Sequence, residues 1–380
     1  MRRKLIALLA DLIALPSPYP PGNSVAIAAY AARRLRKAGY RVEIASAKKG
    51  VDNVVARIKG KARGPVVAFN AHVDTVGVGE RIDWKSDPFK ALAKGGLVYG
   101  LGAGNCKASM AVQLWLAEEI ARRGGPNRGE LVFTFVADEE NLGPNGMAYL
   151  RKSGKVRPDA LILGAQTENN LIVAERGVMW VRLTTQGRAA HAGNPMAGDN
   201  AILRMTRLVS ALASYYDKAL ATRRSGAMRS TVNVGQFHGG HNTNVVPSSC
   251  TVEIDRRLLP DEKVKDAFTE LRRVIDGAGE PKRLYKLALL TGTNGFRAPE
   301  NGAVVASFAQ AVRKFGHRKA RFLDATGVSD GRYYADDGIE IVNFGPGSGA
   351  QGHAANESVP IAQMVEAAAI QLDVVRRLLG

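Results

Sequence analysis

Pro65-Val66-Val67-Ala68-Phe69-Asn70-Ala71-His72-Val73-Asp74-Thr75 is an apolar run that gives way to polar residues. Residues 65–69 read as a buried strand, and the polar end as the point where that strand leaves the core. In extended chain, residues two apart point the same way. The Asp74 carboxylate is therefore expected to brace the His72 imidazole while the other ring nitrogen faces a metal. So short a pattern also describes a strand end with an ordinary histidine, and the rest of the chain has to supply the other half of a site.

Working outward, residues 24–38 have helical periodicity, and residues 40–45 and 53–58 alternate as strands. Interleaved strands and helices predict an α/β sheet with covering helices, whose sites lie at the carboxyl ends of the strands. Residues 97–99 read as a short strand before Gly100-Leu101-Gly102-Ala103-Gly104-Asn105-Cys106-Lys107, a glycine-rich turn opening a helix at 108–123. The turn lacks the spacing of a nucleotide-binding loop, so close packing of backbone at a crowded site is its expected use. Residues 131–137 form an apolar strand ending in Asp138-Glu139-Glu140. Three adjacent carboxylates repel one another unless solvent, a cation or a shared proton relieves them. The strand 160–163 ends in Gly164-Ala165-Gln166-Thr167.

From residue 177 the pattern changes to strand (178–186), helix (200–220), two strands (230–237 and 250–258) and helix (264–275), a compact α+β unit. Helix 303–315, strand 339–344 and helix 361–379 then return to the first style, with Gly345-Pro346-Gly347 and His353 in the loop after the strand.

The 380 residues suit two domains, and 46% hydrophobic with 23% charged residues indicates a folded, water-soluble chain. The formal charge of +18 favours a small anionic substrate, while the scattered basic residues and the lack of a nucleic-acid motif argue against specific nucleic-acid binding. Cys106 and Cys250 have neither zinc-knuckle nor disulfide-framework spacing, which fits a reducing compartment. Met1-Arg2-Arg3-Lys4 and the apolar run after it imitate a signal peptide, but Asp11 interrupts the run and a Pro-rich turn follows. An amphipathic first helix and a cytoplasmic protein are expected, with no membrane-spanning stretch.

Taken in order, a set of short segments covers nearly the whole chain: Leu-Ile-Ala-Leu-Pro-Ser near the start, His72-Val73-Asp74-Thr75, the glycine-rich turn, the acidic triplet, and Arg188-Ala189-Ala190-His191. Asn244-Val245-Val246-Pro247, Asp255-Arg256-Arg257, Ser329-Asp330-Gly331-Arg332, Gly345-Pro346-Gly347, His353 and Glu357 complete it. The set resembles the metallopeptidase family of acetylornithine deacetylase, succinyl-diaminopimelate desuccinylase and aminoacylase. The resemblance implies a sheet-centred catalytic domain, residues 1–176 and 287–380, interrupted by an α+β lid domain, residues 177–286, through which the chain forms a homodimer. It implies a divalent metal centre, with zinc first and manganese or cobalt as alternatives. By position, His72, Glu140 and His353 match metal ligands, Glu139 the general base and Asp74 the brace. His191 and Asn244 match oxyanion-stabilising residues, and Arg257 and Gly347 substrate-binding ones.

Two positions depart from the pattern. Asn105 stands where the family has a metal-bridging Asp, and Ala165 where it has a ligand Glu. A neutral amide is a weak bridge between two dications, so a site of at most one ion is expected, with Asn105 as a supplementary ligand and Glu168 a candidate replacement carboxylate. The expected activity is metal-dependent cleavage of an amide C–N bond in a small N-acyl amino acid or related carboxylate. Two alternatives stay open: a catalytically silent homologue that binds a ligand or partner, and a metal-free enzyme with Cys106 as nucleophile.

Overall fold

The computed structural model describes residues 1–325 and 327–380. It divides into two compact units: Met1–Val173 with Ala298–Leu323 and Ser329–Gly380, and Ala174–Arg297 with Asp324–Val328.

The first unit is a sheet covered by helices. Its strands lie in the order Arg41–Lys48, Val51–Lys59, Arg128–Val136, Ala62–His72, Ala160–Leu163, Glu340–Asn343 and Leu171–Glu175. The four from Arg128–Val136 to Glu340–Asn343 are mutually parallel, and the flanking strands pair antiparallel. Strands buried on both faces carry continuous apolar runs, as Phe69, Phe133 and Ile162 show. Phe133 stacks on Phe69 at 5.5 Å and meets Tyr40 edge-on at 5.8 Å.

Helices Arg2–Ile13, Lys107–Arg122 and Ile361–Leu379 pack on one another, the latter two also on the central strands. The first helix buries Leu5, Leu8, Leu9 and Leu12, a spacing of three and four that lays one stripe against the core. Each such leucine contributes about 2 kcal/mol of burial. The amphipathic reading of the N-terminus is thus the right one. Helix Lys107–Arg122 is buried on every side from Lys107 to Ala117, so it is a core helix and not a surface one.

The parallel strands aim their carboxyl ends the same way. Those ends deliver His72 and Asp74, then Asp138 to Glu140, Gly164 to Thr167, and the loop from Phe344 onward. Leu171–Glu175 and the short helix Met147–Lys152 were not legible from periodicity, being only five and six residues long.

The second unit is a four-stranded antiparallel sheet in the order Thr231–Gly239, Ser249–Leu258, Gly177–Gln186, Tyr285–Thr293. Helices Ala201–Tyr215 and Val264–Asp276 cover one face, burying Met205, Leu208, Leu212, Leu271 and Ile275 with Met179, Val181 and Leu183. The fourth strand replaces the expected boundary after residue 286: the chain leaves this unit only after completing Tyr285–Thr293. Exposed Leu289 and Leu290 had blurred its alternation. Among the described residues, no helix is long and apolar enough to cross a membrane.

Candidate metal centre

His72 is the last residue of its strand. Its Nδ1 lies 2.9 Å from the Asp74 backbone carbonyl and 3.5 Å from Asp74 Oδ1. The brace expected from the carboxylate is therefore made chiefly by the carbonyl. The carboxylate has a second task, for Asp74 Oδ2 accepts the Glu140 backbone N–H at 3.1 Å and ties the two strand ends together.

Asn105 connects the remaining groups. Its Oδ1 faces His72 Nε2 at 3.1 Å, while its Nδ2 donates to Glu140 Oε1 at 2.7 Å and lies 3.1 Å from His353 Nε2. His353 Nε2 is 2.9 Å from Glu140 Oε2. Glu140 requires a donor, which fixes the amide nitrogen on its side and the amide oxygen on the side of His72. Both nitrogens of His72 then face oxygen acceptors, the arrangement of an imidazolium. Burial opposes that charge, but Cys106, Asp74 and Glu139 outweigh it and hold the His72 pKa well above its ordinary value.

Glu139 Oε2 approaches His72 Nε2 at 4.0 Å. Burial pushes the Glu139 pKa up to about 8, with Asp330 and Glu140 adding to the shift and His72 and Arg332 opposing it. Among the described residues, ligand atoms of His72, Glu139 and Glu140 lie within 4.8 Å of one another, a spacing that suits one cation. Asp138 and His353 have φ of 68° and 65°, a left-handed conformation rarely taken by side-chain-bearing residues and common at functional sites.

The glycine-rich turn does cradle an anion, but one belonging to the chain. Glu357, 3% exposed, accepts the backbone N–H groups of Gly102 at 2.8 Å, Gly104 at 2.9 Å and Asn105 at 2.6 Å. A Cβ on Gly104 would stand 2.5 Å from Gln166 Nε2 and 3.0 Å from Glu357 Oε1, so a side chain there would push the Gln166 amide aside and crowd the Glu357 carboxylate.

Ala165 brings no donor beyond its backbone, and Glu168 is exposed, outside the compact donor group. Gly347 donates its N–H to Gln363 at 2.8 Å and accepts from Glu168 N at 2.8 Å, so its backbone groups serve the loop. Cys106 is buried with Sγ 3.4 Å from the Gly164 carbonyl, and burial raises its pKa, the opposite of an activated nucleophile.

In the second unit, His191 bridges Val245 and the Ala192 N–H donates to the Asn244 carbonyl at 2.9 Å, so the two residues share one paired loop. Arg257 is taken up by Asp255 through Nε at 2.8 Å and Nη2 at 3.0 Å, a pairing that a substrate carboxylate would have to displace.

Sequence reasoning assigned no role to Arg332 or Asp330. Both are buried, and Arg332 Nη1 lies 3.8 Å from Glu139 Oε1. The signal was a charged pair in a short Ser-Asp-Gly-Arg turn, unusual for a segment that ends in the core.

Residues 68–377 match the model of Peptidase family M20/M25/M40. The chain is 29% identical to a succinyl-diaminopimelate desuccinylase of Bordetella petrii over 371 residues, 95% of this chain and 94% of that protein. A succinyl-diaminopimelate desuccinylase of Methylorubrum populi is also 29% identical, over 98% of this chain and 97% of its own. Among solved structures, a tripeptidase from Staphylococcus aureus superposes with a TM-score of 0.80 at 23% identity, covering 100% of this chain and 99% of that one. A Bacillus subtilis protein described as a dinuclear metal-binding peptidase of the M20 family gives 0.76 at 17% identity, over 100% and 98% of the two chains. The sheet, the clustered His and Glu donors and the match across most of the length agree: the chain belongs to peptidase family M20/M25/M40 and is a metal-dependent amidohydrolase.

Proposed function

We propose that the protein cleaves the amide bond of a small N-acyl amino acid or related carboxylate with a single divalent ion, zinc first among the candidates. The observation that carries the one-ion reading is the Asn105 amide, which joins His72 to Glu140 and His353 by hydrogen bonds where a bridging carboxylate would join two ions. The residues fit one ion. Glu140 and His353 would hold it, leaving a second position only His72, once deprotonated, and the neutral amide of Asn105. When bound, the ion polarises the substrate carbonyl and acidifies water beside it.

Glu139 then acts as the base. It accepts a proton as the water oxygen bonds to the carbonyl carbon, and delivers that proton to the nitrogen as the C–N bond breaks. Asp74 keeps His72 and the Glu140 strand end in register. His191 and Asn244 are assigned to the developing oxyanion, and Arg257 to a substrate carboxylate in exchange for Asp255. The basic composition supports an anionic substrate, the exposed edge strand Thr231–Gly239 supports a homodimer through the second unit, and two free buried cysteines support a cytoplasmic setting.

The same amide bridge favours a second reading, a ligand-binding homologue without turnover, because the polar groups of the site already satisfy one another. Elemental analysis after zinc loading, together with a screen of N-acetyl and N-succinyl amino acids, separates the two. About one metal per chain with hydrolysis supports the first; less metal with no hydrolysis at high enzyme concentration supports the second.

A further inference from the structure

Arg332 has a side chain only 2% exposed, and its Nη1 has no hydrogen-bond partner. A guanidinium is charged at every accessible pH, so burying it requires neighbouring anions or acceptors. Two anions are in range: Glu139, with Oε1 3.8 Å from Nη1, and Asp330, with Oδ1 3.9 Å from Nη2. Neither distance is a hydrogen bond.

What holds the guanidinium instead is Tyr333. The charge lies over its ring, 4.4 Å from the centroid, and Nη2 is 2.9 Å from its hydroxyl. That hydroxyl in turn reaches the carbonyls of Leu142 at 3.3 Å and Gly143 at 3.1 Å. These two residues close the turn that begins at Asp138, through Leu142 N to Glu139 O at 2.9 Å and Gly143 N to Asp138 O at 3.0 Å. The Arg332–Tyr333 pair is thus attached at one end to the turn that carries Glu139, and at the other it presents a cation behind that residue's carboxylate. Oε1 of Glu139 faces the cation, and Oε2 faces His72.

We infer that Arg332 is a positioning residue for Glu139. Its guanidinium, indexed on the turn by Tyr333, fixes which carboxylate oxygen is turned toward the reacting water and offsets the repulsion from Glu140. The terminal torsion of a glutamate is broad and two-fold, so without an external reference its oxygens exchange. A cation on one side removes that freedom. The Nη1–Oε1 gap closes to a hydrogen bond when substrate docks, as catalytic contacts that are long in a free enzyme commonly do.

This inference rests on the amide-hydrolase reading, and its test distinguishes the two. The zinc-loaded full chain is compared with Arg332→Met, Arg332→Lys and Tyr333→Phe by three measurements. These are kcat and KM on the N-acetyl or N-succinyl amino acid cleaved fastest, zinc content, and amide hydrogen exchange across residues 138–143. In Arg332→Met, kcat should fall about 100-fold, the scale of an ångström-sized misplacement. KM and zinc content should hold, and exchange across 138–143 should accelerate. Tyr333→Phe, which removes one oxygen, should lose about 10-fold in kcat, and Arg332→Lys should recover part of the loss. Wild-type kcat and unchanged exchange in Arg332→Met overturn the inference, as does a kcat loss matched by loss of zinc. Should Arg332→Met fail to fold, Tyr333→Phe decides on the same criteria. If the wild type cleaves no amide in the panel, the hydrolase reading falls. Exchange then decides only the anchoring of the turn: retained protection in the variants overturns the attachment of Arg332 and Tyr333 to residues 138–143, and lost protection sustains that attachment while the role toward the reacting water falls with the hydrolase reading.

Discussion

Asn105 presents a hydrogen-bond donor to Glu140, with Nδ2 and Oε1 2.7 Å apart. A carboxylate here would present two acceptors, and the repulsion between it and Glu140 would call for cations. Asn105→Asp combined with Ala165→Glu should raise zinc content from about one toward two ions per chain, since each added carboxylate is a hard anionic ligand. Metal analysis after dialysis reads the result directly, and unchanged occupancy would place the bridging role elsewhere.

Glu139 supplies a pH signature. Its pKa in the folded protein is about 8 against an ordinary 4.5, with burial as the main cause. Between those values the folded state keeps a proton that the unfolded state has released, so this group's contribution to stability falls as pH rises through the window. Chelated protein should therefore lose thermal stability from pH 4.5 to 8. Glu139→Gln should flatten that slope and melt several degrees higher than wild type at the alkaline end. Asp330, raised by burial to about 6, contributes the same sign at lower pH and remains in both proteins. Melting curves across pH check the difference, and parallel slopes would contradict the assignment.

Replacing Glu357 tests the turn. Its carboxylate takes three backbone donors, from Gly102, Gly104 and Asn105, and an alanine would leave them buried and unpaired. Glu357→Ala should cost on the order of 3 kcal/mol in unfolding free energy, from the loss of charge-assisted hydrogen bonds. Zinc affinity should fall with it, because Asn105 loses its backbone anchor. Urea unfolding and zinc titration report the two effects separately.

For the oxyanion role, His191→Ala should reduce kcat by about 100-fold with little change in KM, as expected for a donor that acts mainly in the transition state. Steady-state kinetics decide it. A rise in KM alone would make His191 a binding residue.

Much of this was legible in the chain itself. Regular periodicity exposed the parallel strands and the covering helices, and the polar ends of those strands exposed His72, Glu139 and Glu140. What stayed hidden depended on atoms rather than on residue types. Nothing in the order of residues says that Asp74 braces His72 with its carbonyl, that Asp255 occupies Arg257, or that the amide of Asn105 turns its nitrogen to Glu140. Arg332 escaped notice because its importance comes from a contact across nearly two hundred positions of chain, which no local pattern encodes. The strand Tyr285–Thr293 was lost for a simpler reason: at a sheet edge, water tolerates leucines facing outward, and the alternation fades.

His72, the Glu139–Glu140 pair and the loop that carries His353 lie at the ends of three of the parallel strands, while the strands themselves are filled with aliphatic and aromatic residues. Framework and reactivity are thereby separate mutational targets. Replacing Asn105 with an aspartate or Ala165 with a glutamate therefore alters the donor set while leaving the apolar contacts of the sheet in place.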